Sequence, residues 1–217
     1  MTALIRMDQV SYSYPVRGMV LDQVDMSLFA GEKISLEGGN GAGKTTLLNI
    51  LVGLNKPKSG GVFAFGRERK VETDFIEVRA KAGFLFQDPD DQLFCPTVLE
   101  DVAFGPLNQG KSPDEARQIS IEVLDCLGMA GFEDRVTHQL SGGEKRLITL
   151  ASVLAMKPEV LLLDEPSNAL DKAARLRLIE VLQSLPQAMI IISHESTFLD
   201  ALVTRRTRLE RGKVLDL

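Results

Sequence analysis

The sequence predicts an α/β fold, a sheet with helices packed on it, interrupted by an inserted helical segment. Three observations carry this. Short apolar segments alternate with longer helical patterns along most of the chain. A glycine-rich turn at 38–43 joins a strand-like run to a helix-like one. Between Thr97 and about Gln139 the strand-like runs vanish and only helical patterns remain.

Taken in order, Ile5 to Tyr12 and Val20 to Leu28 read as strands, followed by Lys33 to Glu37. The glycine-rich turn then opens a helix carrying Leu47, Leu48, Ile50 and Leu51. Asn55 to Gly61 is a loop before a short strand at Val62 to Phe65. Ala82 to Phe86 is another strand, ending in the acidic, proline-containing stretch Gln87 to Pro96. In the inserted segment, helix patterns fall at Val98–Phe104, at Pro113–Leu127 and, weakly, at Gly131–Arg135. Ser112-Pro113-Asp114-Glu115 is a strong helix start, with a capping hydroxyl, proline in the first turn and acids facing the helix dipole. The alternation then resumes: helix 144–156, strand 159–163, helix 172–185, strand 188–193, helix 195–203. A hairpin from Thr204 to Leu217 turns at Arg211-Gly212. The expected organisation is one domain over 1–217. Residues 1–87 and 141–217 make the α/β core with an antiparallel β part, and 88–140 make a helical subdomain.

Composition narrows the function classes. The chain has 217 residues, enough to bury a substantial core, and a formal net charge of −5 argues against a strongly basic nucleic-acid surface. No apolar run approaches the roughly 20 residues needed to cross a bilayer. The N-terminus lacks the apolar core of a secretory signal, so a chain that stays in the cytosol is expected. Cys95 and Cys126 have no second thiol or histidine at metal-ligand spacing and read as buried or incidental.

Gly38-Gly39-Asn40-Gly41-Ala42-Gly43-Lys44-Thr45 matches the phosphate-loop pattern G-x-x-x-x-G-K-S/T, with a strand before it and a helix after it. Glycines let successive N–H groups converge on phosphate oxygens, and the helix N-terminus adds positive potential. Lys44 is placed to reach the terminal phosphates and Thr45 to ligate Mg2+, with Thr46 following in the first turn.

Leu140-Ser141-Gly142-Gly143-Glu144 is a second anion-binding pattern, a capping Ser and two glycines at the head of a helix. Downstream, Val160-Leu161-Leu162-Leu163-Asp164-Glu165-Pro166 reads as a buried parallel strand ending in two carboxylates. Ligands of such sheets bind beyond the strands' carboxyl ends. Asp164 there suits Mg2+ held through water, and Glu165 suits orienting and deprotonating an attacking water. His194 ends the apolar strand at 188–193, a position suited to contact with a γ-phosphate. Gln87 ends the strand at Ala82–Phe86 similarly, in a metal-water or γ-phosphate role. His138 lacks such a placement and reads as structural.

In this order, the phosphate loop, Gln87, the Ser141-Gly142-Gly143 signature, Asp164-Glu165, Asp171 and His194 resemble an ATP-binding cassette (ABC) ATPase. The resemblance covers essentially the whole chain and implies a P-loop NTPase (RecA-like) core with an antiparallel β subdomain and an inserted α-helical subdomain. It implies ATP and Mg2+ as cofactors. It also implies a head-to-tail pairing with a second ABC ATPase subunit, identical or not. ATP on the phosphate loop of one copy would be capped by Ser141, Gly142 and Gly143 of the other, with Asp171 communicating across the interface. In this family an aromatic before the second strand stacks on adenine. Tyr14 is favoured over Tyr12 for that role.

Within the family, Gln87 to Gly105 resembles the energy-coupling factor importers, through Asp91-Gln92-Leu93-Phe94 and Glu100 to Pro106, as does Val153 to Pro158. That resemblance implies a motor subunit at the cytoplasmic face of the membrane. Its partners would be a transmembrane coupling component and a substrate-binding membrane component, with no nucleic acid. The cargo implied is cobalt or nickel, with a vitamin such as biotin as the alternative. A soluble ABC ATPase acting on nucleic acid or ribosomes is a further alternative. Glu144 replaces the commoner Gln of the signature.

Overall fold

A computed structural model describes residues 2–217. The chain divides into two compact units. One comprises the chain up to Ala82 with Glu159–Asp164 and Gln187–Leu217, the other Gly83–Pro158 with Glu165–Pro186.

In the first unit, β1 (Ile5–Tyr14) and β2 (Gly18–Leu28) form an antiparallel hairpin with Ile5 opposite Leu28 and Tyr14 opposite Gly18. β4 (Ser59–Ala64) joins the other edge of β1 and β5 (Arg67–Arg69) pairs with β4, so this sheet runs β2-β1-β4-β5. The second sheet is mainly parallel. β3 (Lys33–Glu37) lies between β8 (Ala188–Ile192) and β9 (Arg205–Glu210), and β7 (Val160–Asp164) flanks β8. Every residue of β7 and β8 is buried, which explains their unbroken apolar sequences. β10 (Lys213–Asp216) returns antiparallel on β9 through Arg211 and Gly212, both at positive φ, which suits a tight hairpin.

α1 (Lys44–Leu51) follows β3 and buries Leu47, Leu48, Ile50 and Leu51. The sequence gives no sign of β5 or of α2 (Glu72–Lys81), because this stretch has almost no apolar periodicity. Only Phe75 and Val78 of α2 are buried. Polar contacts hold it instead. Asp74 accepts from the N–H groups of Lys70 and Val71, and Glu77 pairs with Arg67, Arg69 and Lys81. The short α7 (Ser196–Leu202) buries Phe198, Leu199 and Leu202.

The second unit takes up β6 (Ala82–Leu85) from Gly83 onward, followed by a 3-10 turn at Pro89–Asp91, then α3 (Val98–Asn108), α4 (Pro113–Cys126) and α5 (Gly142–Ala155). α3, α4 and α5 each start at a capping box, with Thr97/Glu100, Ser112/Glu115 and Ser141/Glu144 bonded reciprocally. α6 (Lys172–Ser184) completes the unit. The helical subdomain expected at 88–140 falls within it. Gly131–Arg135 is not helical. Its carbonyls at Glu133 and Arg135 accept from Leu99 and Val98 in the first turn of α3, so they are not available to an α-helical ladder of their own.

Candidate functional site

The phosphate loop starts from the end of β3 and feeds α1. Gly43 takes φ +110°, and a Cβ there would stand 2.5 Å from Val20 Cγ1, so both backbone and space demand glycine. Gly38 is similarly forced, since its Cβ would meet the Leu209 carbonyl oxygen at 2.6 Å. Lys44 is buried and its Nζ donates to the carbonyls of Gly38 (2.7 Å) and Gly39 (3.2 Å), folding its ammonium back over the loop. Gly39, Asn40 and Gly41 are exposed, Ala42 is half-buried, and Thr46 is buried.

Two side chains from the β1–β2 hairpin reach the loop. The Tyr14 hydroxyl lies 3.1 Å from Thr46 Oγ1, and Tyr12 meets the Tyr14 ring edge-on at 5.0 Å. Arg17 donates to the Gly41 carbonyl. Sequence reasoning missed Arg17, and nothing in its local pattern signals it, because only the hairpin geometry brings it there.

Thr45 Oγ1 donates to Asp164 Oδ2 at 2.6 Å, joining the head of α1 to the carboxyl end of β7. A hydroxyl and a carboxylate are the hard oxygen donors that Mg2+ takes alongside phosphate oxygens, so this pair fits the ion. Among the described residues no group of three His, Cys, Asp or Glu side chains could hold a metal by itself. Asp164 and Thr45 would therefore supply part of a coordination sphere that a nucleotide completes. Glu165 follows, buried, with φ +52°, a left-handed backbone that non-glycine residues adopt rarely and that recurs at functional sites.

His194, exposed just beyond β8, faces a cleft of about 470 Å3 shared with Glu37, Gly38, Gly39, Ser193 and Arg208. The first unit thus gathers Tyr14, residues 38–46, Asp164 and His194.

The signature lies in the second unit. Ser141 is the N-cap of α5, accepting from the Glu144 N–H at 3.3 Å while its hydroxyl donates to the Glu144 carboxylate at 2.8 Å. Gly142 and Gly143 lie under residue 169. A Cβ on Gly143 would stand 2.9 Å from the Ala169 carbonyl oxygen, so the second glycine also makes room for the 167–170 turn. Asp171 accepts from the Ala174 N–H at 2.8 Å and is the N-cap of α6, a local role the sequence reading did not assign. The Gln87 side chain is exposed, while its carbonyl and that of Phe86 accept from buried Arg146 of α5.

Beside these lies a groove of about 470 Å3 lined mostly by apolar surface, including Leu93, Phe94, Cys95, Pro96 and Val136. Phe94 is 67% exposed and packs edge-on against Phe104 at 4.9 Å. Buried Asp101 shapes this wall by accepting from the N–H groups of Phe94 and Cys95 and from the Thr137 hydroxyl. Burial first, and Asp101 next, push the Cys95 thiol up to about 11, which keeps it protonated. Cys126, by contrast, is exposed, and His138 lines the groove as an exposed side chain.

Comparison with known proteins adds ancestry to this geometry. A family model described as ABC transporter matches residues 21–168. An ABC transporter ATP-binding protein of Brucella suis biovar 1 (strain 1330) is 53% identical, the alignment covering 99% of this chain and 89% of that protein. The energy-coupling factor transporter ATP-binding protein EcfA of Methanothermobacter thermautotrophicus is 41% identical over 98% of this chain and 70% of its own. The cobalt import ATP-binding protein CbiO of Rhodobacter capsulatus is 41% identical over 99% and 78%. Among solved structures, cbiO1 of Clostridium perfringens, part of the transporter complex cbiONQ, superposes with a TM-score of 0.87 at 30% identity, covering 99% of this chain and 88% of that one. A dimeric ATP-binding cassette in a post-hydrolysis state, bound to ADP and Pi, superposes at 0.89 with 26% identity, over 98% and 97%.

Proposed function

We propose that this chain, which belongs to the ABC transporter family and is an ATPase, is of the energy-coupling, cobalt-importer type and hydrolyses ATP to power uptake of cobalt or nickel ions. The observation that carries the chemistry is the 2.6 Å contact of Thr45 with Asp164, which joins the head of the phosphate-loop helix to a carboxylate suited to Mg2+. The cargo rests on ancestry through the cobalt-import relative, because an ATPase subunit's own residues need not touch what is transported.

In this reading the amides of residues 38–43 and Lys44 bind the phosphates, and Tyr14 stacks on adenine. Asp164 and Thr45 would hold Mg2+, with Gln87 beside it. Held there, the ion would supply charge neutralisation of the phosphates. Glu165 takes the proton of the attacking water as its oxygen bonds to the γ-phosphorus, and the bond from that phosphorus to the bridging oxygen breaks to release ADP. His194 positions the γ-phosphate. Ser141, Gly142 and Gly143 cap the nucleotide of a second, head-to-tail copy or homologue, and Asp171 lies at that interface.

No helix among the described residues is long and apolar enough to cross a membrane. A transport motor of this kind acts on a transmembrane coupling component at the cytoplasmic face, alongside a membrane protein that binds the cargo. The groove with exposed Phe94 is the surface that suits a helix of the coupling component. The test is affinity purification of the tagged chain from detergent-solubilised membranes, followed by uptake of labelled cobalt and nickel in cells lacking its gene. A co-purifying polytopic protein and loss of metal uptake support the reading. Recovery without a membrane protein and with unchanged uptake of both ions contradicts it.

A further inference from the structure

Arg135 belongs to none of the motifs above, yet its guanidinium is engaged twice. It pairs with Glu144 Oε1 at 3.2 Å and lies 3.5 Å from the centre of the Phe132 ring. The other oxygen of the same carboxylate, Oε2, accepts from the Ser141 N–H and from the Ser141 hydroxyl, both at 2.8 Å. One carboxylate is thus shared between Arg135 and the signature serine.

The charge on Glu144 has two opposite effects. Within its own chain it favours α5, as an acid in the first turn facing the helix dipole. Toward a phosphate arriving at Ser141 it is a fixed negative charge, one hydrogen bond behind the hydroxyl that must greet the anion. The Ser141 hydrogen bonds first, and the Arg135 charge as well, hold the Glu144 carboxyl below the usual carboxylate range, so it is ionised at neutral pH. A Gln here would offer the same cap without the charge.

We propose that Arg135 is a positioning residue for ATP-driven pairing of two copies: by engaging Glu144 Oε1 it offsets the carboxylate beside Ser141 and lets the signature turn accept the partner's nucleotide. This rests on the capping role proposed for Ser141, Gly142 and Gly143. The pair is exposed and screened, so its effect is modest at each site, about threefold. A head-to-tail dimer has the site twice, and the factors multiply to about tenfold in the pairing equilibrium.

The experiment measures the ATP concentration for half-maximal dimerisation by light scattering in a Glu165→Gln background, where hydrolysis is slow. Two ATP are taken up per dimer, so Arg135→Ala raises that concentration about threefold, Arg135→Lys raises it less, and adding Glu144→Gln to Arg135→Ala removes the increase. Binding of a fluorescent ATP analogue to the isolated chain stays unchanged, since that uses the phosphate loop. An Arg135→Ala variant that pairs like its parent overturns the inference and leaves the capping role intact. So does a loss that Glu144→Gln does not rescue, which marks Arg135 as a structural support of the 131–136 segment. Absence of any ATP-dependent dimer in Glu165→Gln itself overturns the capping reading and the inference with it.

Discussion

Thr45 Oγ1 donates to Asp164 Oδ2 at 2.6 Å, although 119 positions separate them in the chain. The contact ties the start of α1 to the end of β7. Replacing Asp164 with Asn keeps the shape and removes the charge proposed to hold Mg2+. ATPase activity is expected to fall at least about tenfold, the scale of losing a charge-assisted contact. Binding of ATP without Mg2+ is expected to change little. Titrating Mg2+ against activity and against nucleotide fluorescence checks both.

Gly43→Ala tests the loop's geometry. At φ +110° with Val20 Cγ1 2.5 Å from the new Cβ, the loop or β2 must shift. A stability loss of about 1–3 kcal/mol is expected, together with weakened ATP binding. Chemical denaturation and nucleotide titration of the variant measure the two effects separately.

The ion cluster on α2 carries a pH signature. Arg69 first, then Arg67 and Lys81, hold the Glu77 carboxyl down at about 2. A carboxyl depressed on folding stabilises the protein above its unfolded pKa and loses that contribution as pH falls through the folded value. The stability difference between the parent and Glu77→Gln is therefore expected to be full at neutral pH. It shrinks between about pH 4.5 and about pH 2. Thermal melts of the two proteins across that range check the sign.

The candidate site is legible in the sequence where its pattern follows fixed spacing. Residues 38–45, Asp164-Glu165 and Ser141 to Gly143 are read directly, because each pattern combines a turn requirement with a functional group. What depends on tertiary approach was not legible. Arg17 meets Gly41 only because the β1–β2 hairpin folds over the loop. Gly143 owes part of its identity to the Ala169 carbonyl, 26 positions away, and the left-handed backbone of Glu165 leaves no compositional trace. In the fold, β7 and β8 announce themselves by unbroken apolar runs. By contrast, α2 is held by ion pairs, which carry no periodicity, and 131–135 has the Glu133 and Arg135 carbonyls claimed by α3.

Glu165→Gln removes the proposed base while keeping the side chain's shape. Turnover is expected to fall about 10²–10⁴-fold, the usual contribution of a general base. ATP binding is retained, so steady-state hydrolysis and equilibrium nucleotide binding must separate. Equal losses in both would assign Glu165 to binding.

In the proposed mechanism the signature turn of one copy completes the nucleotide site on the phosphate loop of another. The most direct measurement is the mass in solution, by light scattering with saturating ATP, of Glu165→Gln and of Glu165→Gln combined with Ser141→Arg. A dimer is expected for the first and an ATP-bound single chain for the second. A double variant that still pairs with ATP, or one that no longer binds ATP as a single chain, would contradict it.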